Sequence, residues 1–183
     1  MKDEEMERTT NLIMNILRVI ALTVVVCLSP GCNEQNSPID QREKVYRALL
    51  LDGNRLLEKK KYQKAADLFT EAVSREPEKA EGYLTRGIAY ICLEQYKKAI
   101  VDFTRAIQND RTLAIAYANR GIAYDHLGRH KDALFDYQKA LVIDSEVGKG
   151  PGFMERFLHN KPKTPDLRER VKFLEEMLTT ENG

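Results

Sequence analysis

The residues that could support chemistry in this sequence are few and lie far apart. His126 and His130 are four residues apart, as two metal ligands on one helix would be, but Gly128 lies between them in a predicted turn. No third ligand accompanies them at a telling spacing, and His159 lies in a polar stretch. The sequence has no Gly-rich phosphate loop, no G-x-S-x-G motif and no Cys–His pair at a recognisable spacing. We predict no catalytic residue, no metal and no cofactor, because an enzyme would need a site assembled from residues without a recognisable pattern.

The overall charge argues against a further class of function. Lys and Arg number 29 against 28 Asp and Glu, so the formal net charge is only +1. Such a balance provides no basic field to attract a phosphate backbone. We therefore predict a protein or peptide partner and no nucleic acid.

Residues 1–32 differ in kind from the rest of the chain. Most residues between 12 and 28 are apolar, but a helix of that length spans about 25 Å, short of the ~30 Å hydrocarbon core of a bilayer. The uninterrupted apolar part, 19–28, follows Arg18 and fits a secretory signal. Met14 gives a tidier basic start than the acidic decapeptide before it, so we expect residues 1–13 to come from an over-extended gene prediction.

The signal segment ends in "LSPGC", which resembles the lipobox of bacterial lipoproteins because Gly31 directly precedes Cys32. The resemblance implies that Cys32 becomes a lipidated N-terminus and that the protein is anchored in the bacterial cell envelope, facing the periplasm or the exterior. An uncleaved anchor and ordinary cleavage nearby are the alternatives. Residues 33–43 are polar and predict a flexible tether. Cys92 is then the remaining thiol of the mature body, and we expect it to be a small buried residue.

The chain from residue 46 onward is organised as a repeat of 34 residues. Three rows follow one another without a gap: 46–79, 80–113 and 114–147. Small and aromatic residues recur at fixed row positions, counted from the start of each row: Gly53, Gly87 and Gly121 at position 8; Ala65, Ala99 and Ala133 at 20; Phe69, Phe103 and Tyr137 at 24; Ala72, Ala106 and Ala140 at 27. This period and pattern resemble the tetratricopeptide repeat (TPR). The resemblance implies an all-α fold, a right-handed superhelical solenoid of three helical hairpins with C-terminal capping helices.

The same residues have a direct physical interpretation. In each row, apolar or small residues recur at helical spacing over two stretches separated by a polar break, which predicts a helical hairpin. A glycine within a helix costs about 1 kcal/mol relative to alanine, so its recurrence indicates that a larger residue would cost more in packing. We expect the two helices of each hairpin to cross at the small residues, with the aromatic residues filling the remaining space.

Two charged positions change together between rows. Rows two and three have Arg at position 7 (Arg86, Arg120) and Asp at position 23 (Asp102, Asp136), whereas row one has Asp52 and Leu68. We predict partly buried Arg–Asp pairs, either within a repeat or between neighbouring repeats. Solvated, unpaired charges are the alternative.

After row three, the sequence "GKGPG" ends the helical pattern, and residues 148–183 form a helical C-terminal cap and tail. "FMERFLHN" predicts one short helix. Thr164 and Pro165 predict the start of a final helix that ends near residue 178 and places Leu167, Val171, Leu174 and Leu178 on one face. A solenoid needs its last apolar face covered, so we interpret both helices as the cap. A site for a second subunit or partner on the first helix is the alternative.

The resemblance also implies that row positions 2, 5, 9, 12 and 13 line a concave groove. The residues predicted to bind a partner there are Leu50, Asn54, Leu57, Leu84, Ile88, Ile91, Ile115, Ile122, Asp125 and His126. A largely aliphatic wall with polar ends suits an amphipathic helix or an extended peptide. The alternative is that some of these residues cover each other or are covered by the tether, the signal segment or the C-terminal helix.

A subclass of the family binds the C-terminal carboxylate of chaperones through a clamp of Lys, Asn and Arg side chains. The corresponding places here hold Leu50, Asn54, Thr85, Ile115 and Asn119. Only Asn54 agrees, and the cations that would neutralise a carboxylate are missing. We therefore expect a membrane-anchored adaptor that binds a peptide or helix of another envelope protein by a different chemistry. The alternative is a structural subunit of an envelope assembly, such as a pilus or secretion apparatus.

Overall fold

A computed structural model describes residues 37–147 and 166–180. The chain divides into two compact units, Met1–Gln41 and Arg42–Gly183. The predicted signal segment, Cys32, His159 and the predicted helix "FMERFLHN" lie outside the described residues. Within the described ranges, no helix is long and apolar enough to cross a membrane.

The described residues form seven helices and no strand. The helices are α1 (Pro38–Glu58), α2 (Tyr62–Arg75), α3 (Ala80–Cys92), α4 (Tyr96–Asn109), α5 (Ala114–His126), α6 (His130–Ile143) and α7 (Leu167–Thr180). Each row of 34 residues therefore contains two helices, and the second helix of one row packs on the first helix of the next. The predicted all-α solenoid of three hairpins is confirmed.

The crossing of each hairpin is set by a glycine and an aromatic ring. A Cβ atom added to Gly87 would lie 2.6 Å from Cε1 of Phe103, and one added to Gly121 would lie 2.6 Å from Cε1 of Tyr137. Gly53 and Phe69 make the same contact in the first hairpin. The predicted interlock of row positions 8 and 24 is confirmed.

The alanines at row positions 20 and 27 lie in the apolar clusters between the helices. All six have no exposed surface: Ala65, Ala72, Ala99, Ala106, Ala133 and Ala140. A larger side chain at these places would force the neighbouring helices or side chains to move, because protein interiors are close-packed.

The turn within each hairpin requires one residue in the left-handed conformation. Row position 15 has φ of 56° at Lys60, 58° at Glu94 and 71° at Gly128. After α3, the N–H groups of Glu94 and Gln95 donate to the carbonyls of Ile91 and Tyr90 at 2.9 and 2.8 Å. This is the Schellman motif that ends a helix, and only the third row supplies the glycine that it favours.

The first helix begins earlier than the sequence pattern predicted. Residues 38–43 were expected to belong to a flexible tether, but α1 starts at Pro38. The hydroxyl of Ser37 accepts a hydrogen bond from the N–H of Asp40 at 3.1 Å, so Ser37 caps the helix and proline occupies its first position. The tether prediction is wrong for residues 38–43.

The last helix, α7, packs on α6. Leu174 is fully buried against Ala133 and Tyr137, and Leu167 and Val171 lie at the edge of the same cluster. The predicted final cap helix is therefore present. It ends at Thr180, and the predicted N-terminal residues Thr164 and Pro165 lie outside the described ranges.

The three turns allow a matched pair of substitutions with opposite effects. Gly128→Ala should lower the free energy of unfolding by about 1 kcal/mol, because open space surrounds the new methyl and the cost is purely that of a left-handed alanine. Glu94→Gly should raise it by a similar or smaller amount, since strain at a positive φ is removed. Urea denaturation followed by circular dichroism measures both. A change of the same sign in both variants would contradict this account of the turn.

Candidate interaction surface

Two buried ion pairs join the helices of the second and third hairpins. Nε and Nη2 of Arg86 donate to the two carboxylate oxygens of Asp102 at 2.7 and 2.8 Å. Arg120 and Asp136 repeat this geometry at 2.7 and 2.8 Å. The carboxylates are 3% and 1% exposed, so the solvated alternative is wrong and the within-repeat pairing is confirmed.

The same arginines also reach back to the preceding hairpin. Nη1 of Arg120 donates to the hydroxyl of Thr104 at 3.1 Å, and Nη1 of Arg86 lies 3.4 Å from that of Thr70. Both threonines stand at row position 25. This contact was not predicted from the sequence, although threonine at position 25 followed by arginine at position 7 of the next row was its visible signal.

Burial and hydrogen bonding act in opposite directions on the pKa of the Asp102 carboxyl. Bonding to Asp102 raises the pKa of the Arg86 guanidinium. Burial raises the pKa of the Asp102 carboxyl, against the lowering effect of its bonds to Arg86. An Asp at this depth is therefore tolerated because its arginine partner is present.

Four of the predicted partner-binding residues belong to the core instead of a surface. Leu50 is 5% exposed, Leu57 2%, Ile88 3% and Ile91 2%. All four lie in one apolar cluster together with Phe69, Phe103 and the alanines at the crossings. The expectation that these four side chains line an open groove wall is wrong, because they are used for packing within the stack.

The other predicted residues retain accessible surface to different degrees. Leu84, Ile115 and Ile122 are half-buried at the edges of the apolar clusters, and Asn54 is exposed. His126 is exposed and stacks on the ring of Tyr96, with centroids 4.5 Å apart and planes within 6°.

Cys92 also lies at a predicted groove position. Its side chain is half-buried, less than the full burial that was expected. Burial raises the pKa of its thiol to about 11. The thiol therefore stays protonated at neutral pH and is a poor nucleophile.

Family models of the tetratricopeptide repeat match residues 80–113 and 114–146. Residues 80–146 therefore form two tetratricopeptide repeats. The first row has the same hairpin contact as the two matched repeats, between Gly53 and Phe69. A comparison with curated proteins finds no match.

Solved TPR domains share the fold. The TPR domain of Arabidopsis OM64 is 24% identical with a TM-score of 0.62, over 74% of this chain and 98% of that one. The second TPR domain of human RPAP3, in complex with the HSP70 peptide SGPTIEEVD, is 21% identical with a TM-score of 0.59, over 73% and 98%. The TPR2B domain of yeast Sti1, in a complex with pHsp70, is 24% identical with a TM-score of 0.60, over 73% and 98%.

Asp125, a predicted groove residue, is bound by the side chains of Arg170 and His130 in the described part of the protein. Nε and Nη2 of Arg170, on α7, donate to its two oxygens at 2.7 Å each, and Nδ1 of His130 lies 2.9 Å away. Burial raises the pKa of the Asp125 carboxyl, but its bonds to Arg170 and His130 outweigh that effect and leave the pKa below its ordinary value. Asp125 is therefore ionised at neutral pH, and both of its carboxylate oxygens accept hydrogen bonds from Arg170 of α7.

His126 and His130, the pair first considered as metal ligands, contact different neighbours. His130 faces Asp125, whereas His126 stacks on Tyr96. Within residues 37–147 and 166–180, no group of three His, Cys, Asp or Glu side chains is placed to hold a metal ion.

The buried pair can be tested by removing one partner and then both. Arg86→Met should lower the free energy of unfolding by about 3 kcal/mol, because it leaves the Asp102 carboxylate buried without a partner. The double variant Arg86→Met, Asp102→Leu should lower the free energy of unfolding clearly less, since Leu68 already occupies row position 23 in the first row. Urea denaturation measures the free energy of unfolding of both variants. If the double variant were as unstable as the single one, the pair would not be compensating the buried charge.

Proposed function

We propose that this TPR protein is a membrane-anchored adaptor that binds a peptide or helix of another protein of the cell envelope. The observation that carries the proposal is a row of accessible side chains on the first helices of the three hairpins: Asn54, Leu84, Ile115, Ile122 and His126. They offer small aliphatic contacts with polar groups at the ends. A similar TPR domain of RPAP3 is described in complex with a peptide and one of Sti1 in a complex with pHsp70, which supports peptide binding as the use of such a surface.

The ligand of this chain differs in chemistry from an acidic chaperone peptide. At the clamp positions, Leu50 and Asn119 are 5% and 1% exposed, so neither can approach a carboxylate. The hydroxyl of Thr85 donates to the carbonyl of Glu81 in its own helix at 3.0 Å. With an apolar residue, Ile115, at the next position, the surface favours an aliphatic anchor over a charged terminus.

The membrane part of the proposal rests on Cys32 and the apolar segment before it. Two or three acyl chains, each contributing about 0.8 kcal/mol per buried methylene, would hold the protein firmly, whereas one would not. Anchoring would also raise the local concentration of the adaptor near envelope partners.

A second function is favoured by a different surface. Val101, Phe135 and Val142 are 68%, 65% and 80% exposed on the second helices, and the first two share row position 22. Exposed apolar residues that recur in neighbouring repeats suit a permanent contact. This surface would serve a structural subunit of an envelope assembly.

Site-specific photo-crosslinking separates the two functions. A photoreactive residue is placed at Asn54 or His126, and in matched controls at Phe135 or Val142, in the full chain produced in its own cells. We expect adducts of one defined mass from the first two positions and none from the controls, because the exposed side chains of α1 and α5 would face the ligand. Adducts from Phe135 and Val142 alone would overturn the adaptor proposal and support the structural subunit.

Mass spectrometry of the mature protein tests the anchor. We expect a chain that begins at Cys32 and carries the added mass of two or three acyl groups. Cys32→Ser should move the protein out of the membrane fraction while its helical content stays unchanged. An intact chain that retains residues 1–31 would instead support an uncleaved anchor.

A further inference from the structure

The cap helix α7 covers the end of the row of predicted groove positions. Row positions 9 and 12 of the third repeat are Ile122 and Asp125, and α7 contacts the neighbourhood of both. Arg170 binds Asp125 through two hydrogen bonds, while Val171 and Leu174 pack in the cluster that includes Ile122. The chain therefore already places a helix on part of its own candidate surface.

The surface on which α7 packs, here called the seat, consists of the Asp125 carboxylate and an apolar floor formed by Ala133 and Tyr137. Leu174 is buried against Ala133 and Tyr137, and Asp125 stands beside this floor with its side chain 13% exposed. A partly buried carboxylate needs a cation with two donors in a fixed geometry, which arginine provides. The seat thus recognises a helix that carries an arginine among aliphatic residues.

Row position 12 shows that this seat is particular to the third repeat. Leu57 and Ile91 hold that position in the first two repeats and are 2% exposed in the apolar core. Asp125 replaces them at the place where the next helix is α7 instead of another repeat. The change from an aliphatic residue to a carboxylate therefore accompanies the change of neighbour.

Fewer buried residues attach α7 to the protein than attach each helix of the second and third hairpins. Leu174 is its one fully buried residue, and Phe173 is 51% exposed. Leu167, Val171 and Met177 are only partly buried. Two further contacts are polar and exposed: Gln138 donates to Glu175 at 2.8 Å, and Arg168 donates to the carbonyl of Ser145 at 2.7 Å. Each repeat helix from α2 to α6 has at least four buried residues, so α7 is the described helix of the TPR unit that separates most easily.

We propose that the seat of α7 is a binding site for a partner helix that carries an arginine with aliphatic residues three before, one after and four after it. These are the places of Leu167, Val171 and Leu174 relative to Arg170. In the absence of the partner, α7 occupies the seat and the partner displaces it. The inference rests on the proposed adaptor function and assigns the chemistry of the ligand at the third repeat.

Hydrogen exchange of the full chain tests whether Arg170 holds α7. Arg170→Glu should speed the exchange of amides 167–180 by about tenfold or more, because it places two carboxylates together. Lys172→Glu is the matched control: Lys172 is 78% exposed and lies 3.9 Å from Glu176 of its own helix, so exchange should change little. The double charge reversal Asp125→Arg, Arg170→Asp should restore slow exchange. Unchanged exchange in Arg170→Glu, or no restoration in the double variant, would overturn the proposal.

A labelled synthetic peptide with the sequence of residues 166–180 then tests the seat itself. Fluorescence anisotropy should show saturable binding to the Arg170→Glu protein and binding about tenfold weaker or more to the unaltered protein, whose own α7 competes. A control peptide with Glu at the place of Arg170 should bind neither. Equal affinity for both proteins, or no binding to the Arg170→Glu protein, would overturn the proposal.

These results are separable from a failure of the adaptor function. If the peptide binds the opened seat but no crosslink forms from Asn54 or His126 in cells, the adaptor function fails while the seat stands. If crosslinks form but the peptide does not bind, the seat fails while the adaptor function stands.

Discussion

A ring that occupies the place of a missing side chain sets the geometry of every hairpin. The rings of Phe103 and Tyr137 would lie 2.6 Å from a Cβ atom at Gly87 and Gly121, so the two helices can approach this closely only where a glycine faces the ring. Arg86 stands one residue before Gly87, and Asp102 one residue before Phe103. The crossing therefore brings row positions 7 and 23 face to face, and the ion pair follows from the packing.

The ion pair in turn links consecutive repeats. Because both oxygens of Asp102 are taken by Nε and Nη2 of Arg86, the remaining nitrogen points to Thr70 of the preceding hairpin. Row one has no preceding row, and there the arginine is replaced by Asp52, whose partner is Arg55 of its own helix. The arginine at row position 7 thus joins the two helices of its own hairpin and also contacts the preceding hairpin.

Contacts that lie within one row could be predicted from the sequence, and contacts between distant segments could not. Gly87 with Phe103 and Arg86 with Asp102 recur at a constant spacing, so the repeat itself displays them. The burial of Ile88 and Ile91 depends on how closely successive first helices approach each other. A family resemblance that assigns these row positions to a groove does not predict that distance. The pairing of Arg170 with Asp125 spans 45 residues and occurs once, so no repetition in the chain could reveal it.

The burial of the central aliphatic residues changes where the specificity of the surface must reside. If Ile88 and Ile91 were open, the middle of the groove would decide which ligand binds, and any aliphatic peptide would suffice. With these residues used for packing, the polar groups at the ends carry more of the discrimination, because an unpaired buried charge excludes a ligand more strongly than a missing methyl group does. Asp125 is such a group: whichever helix covers it must supply a cation, and the helix that the chain itself supplies does so with Arg170.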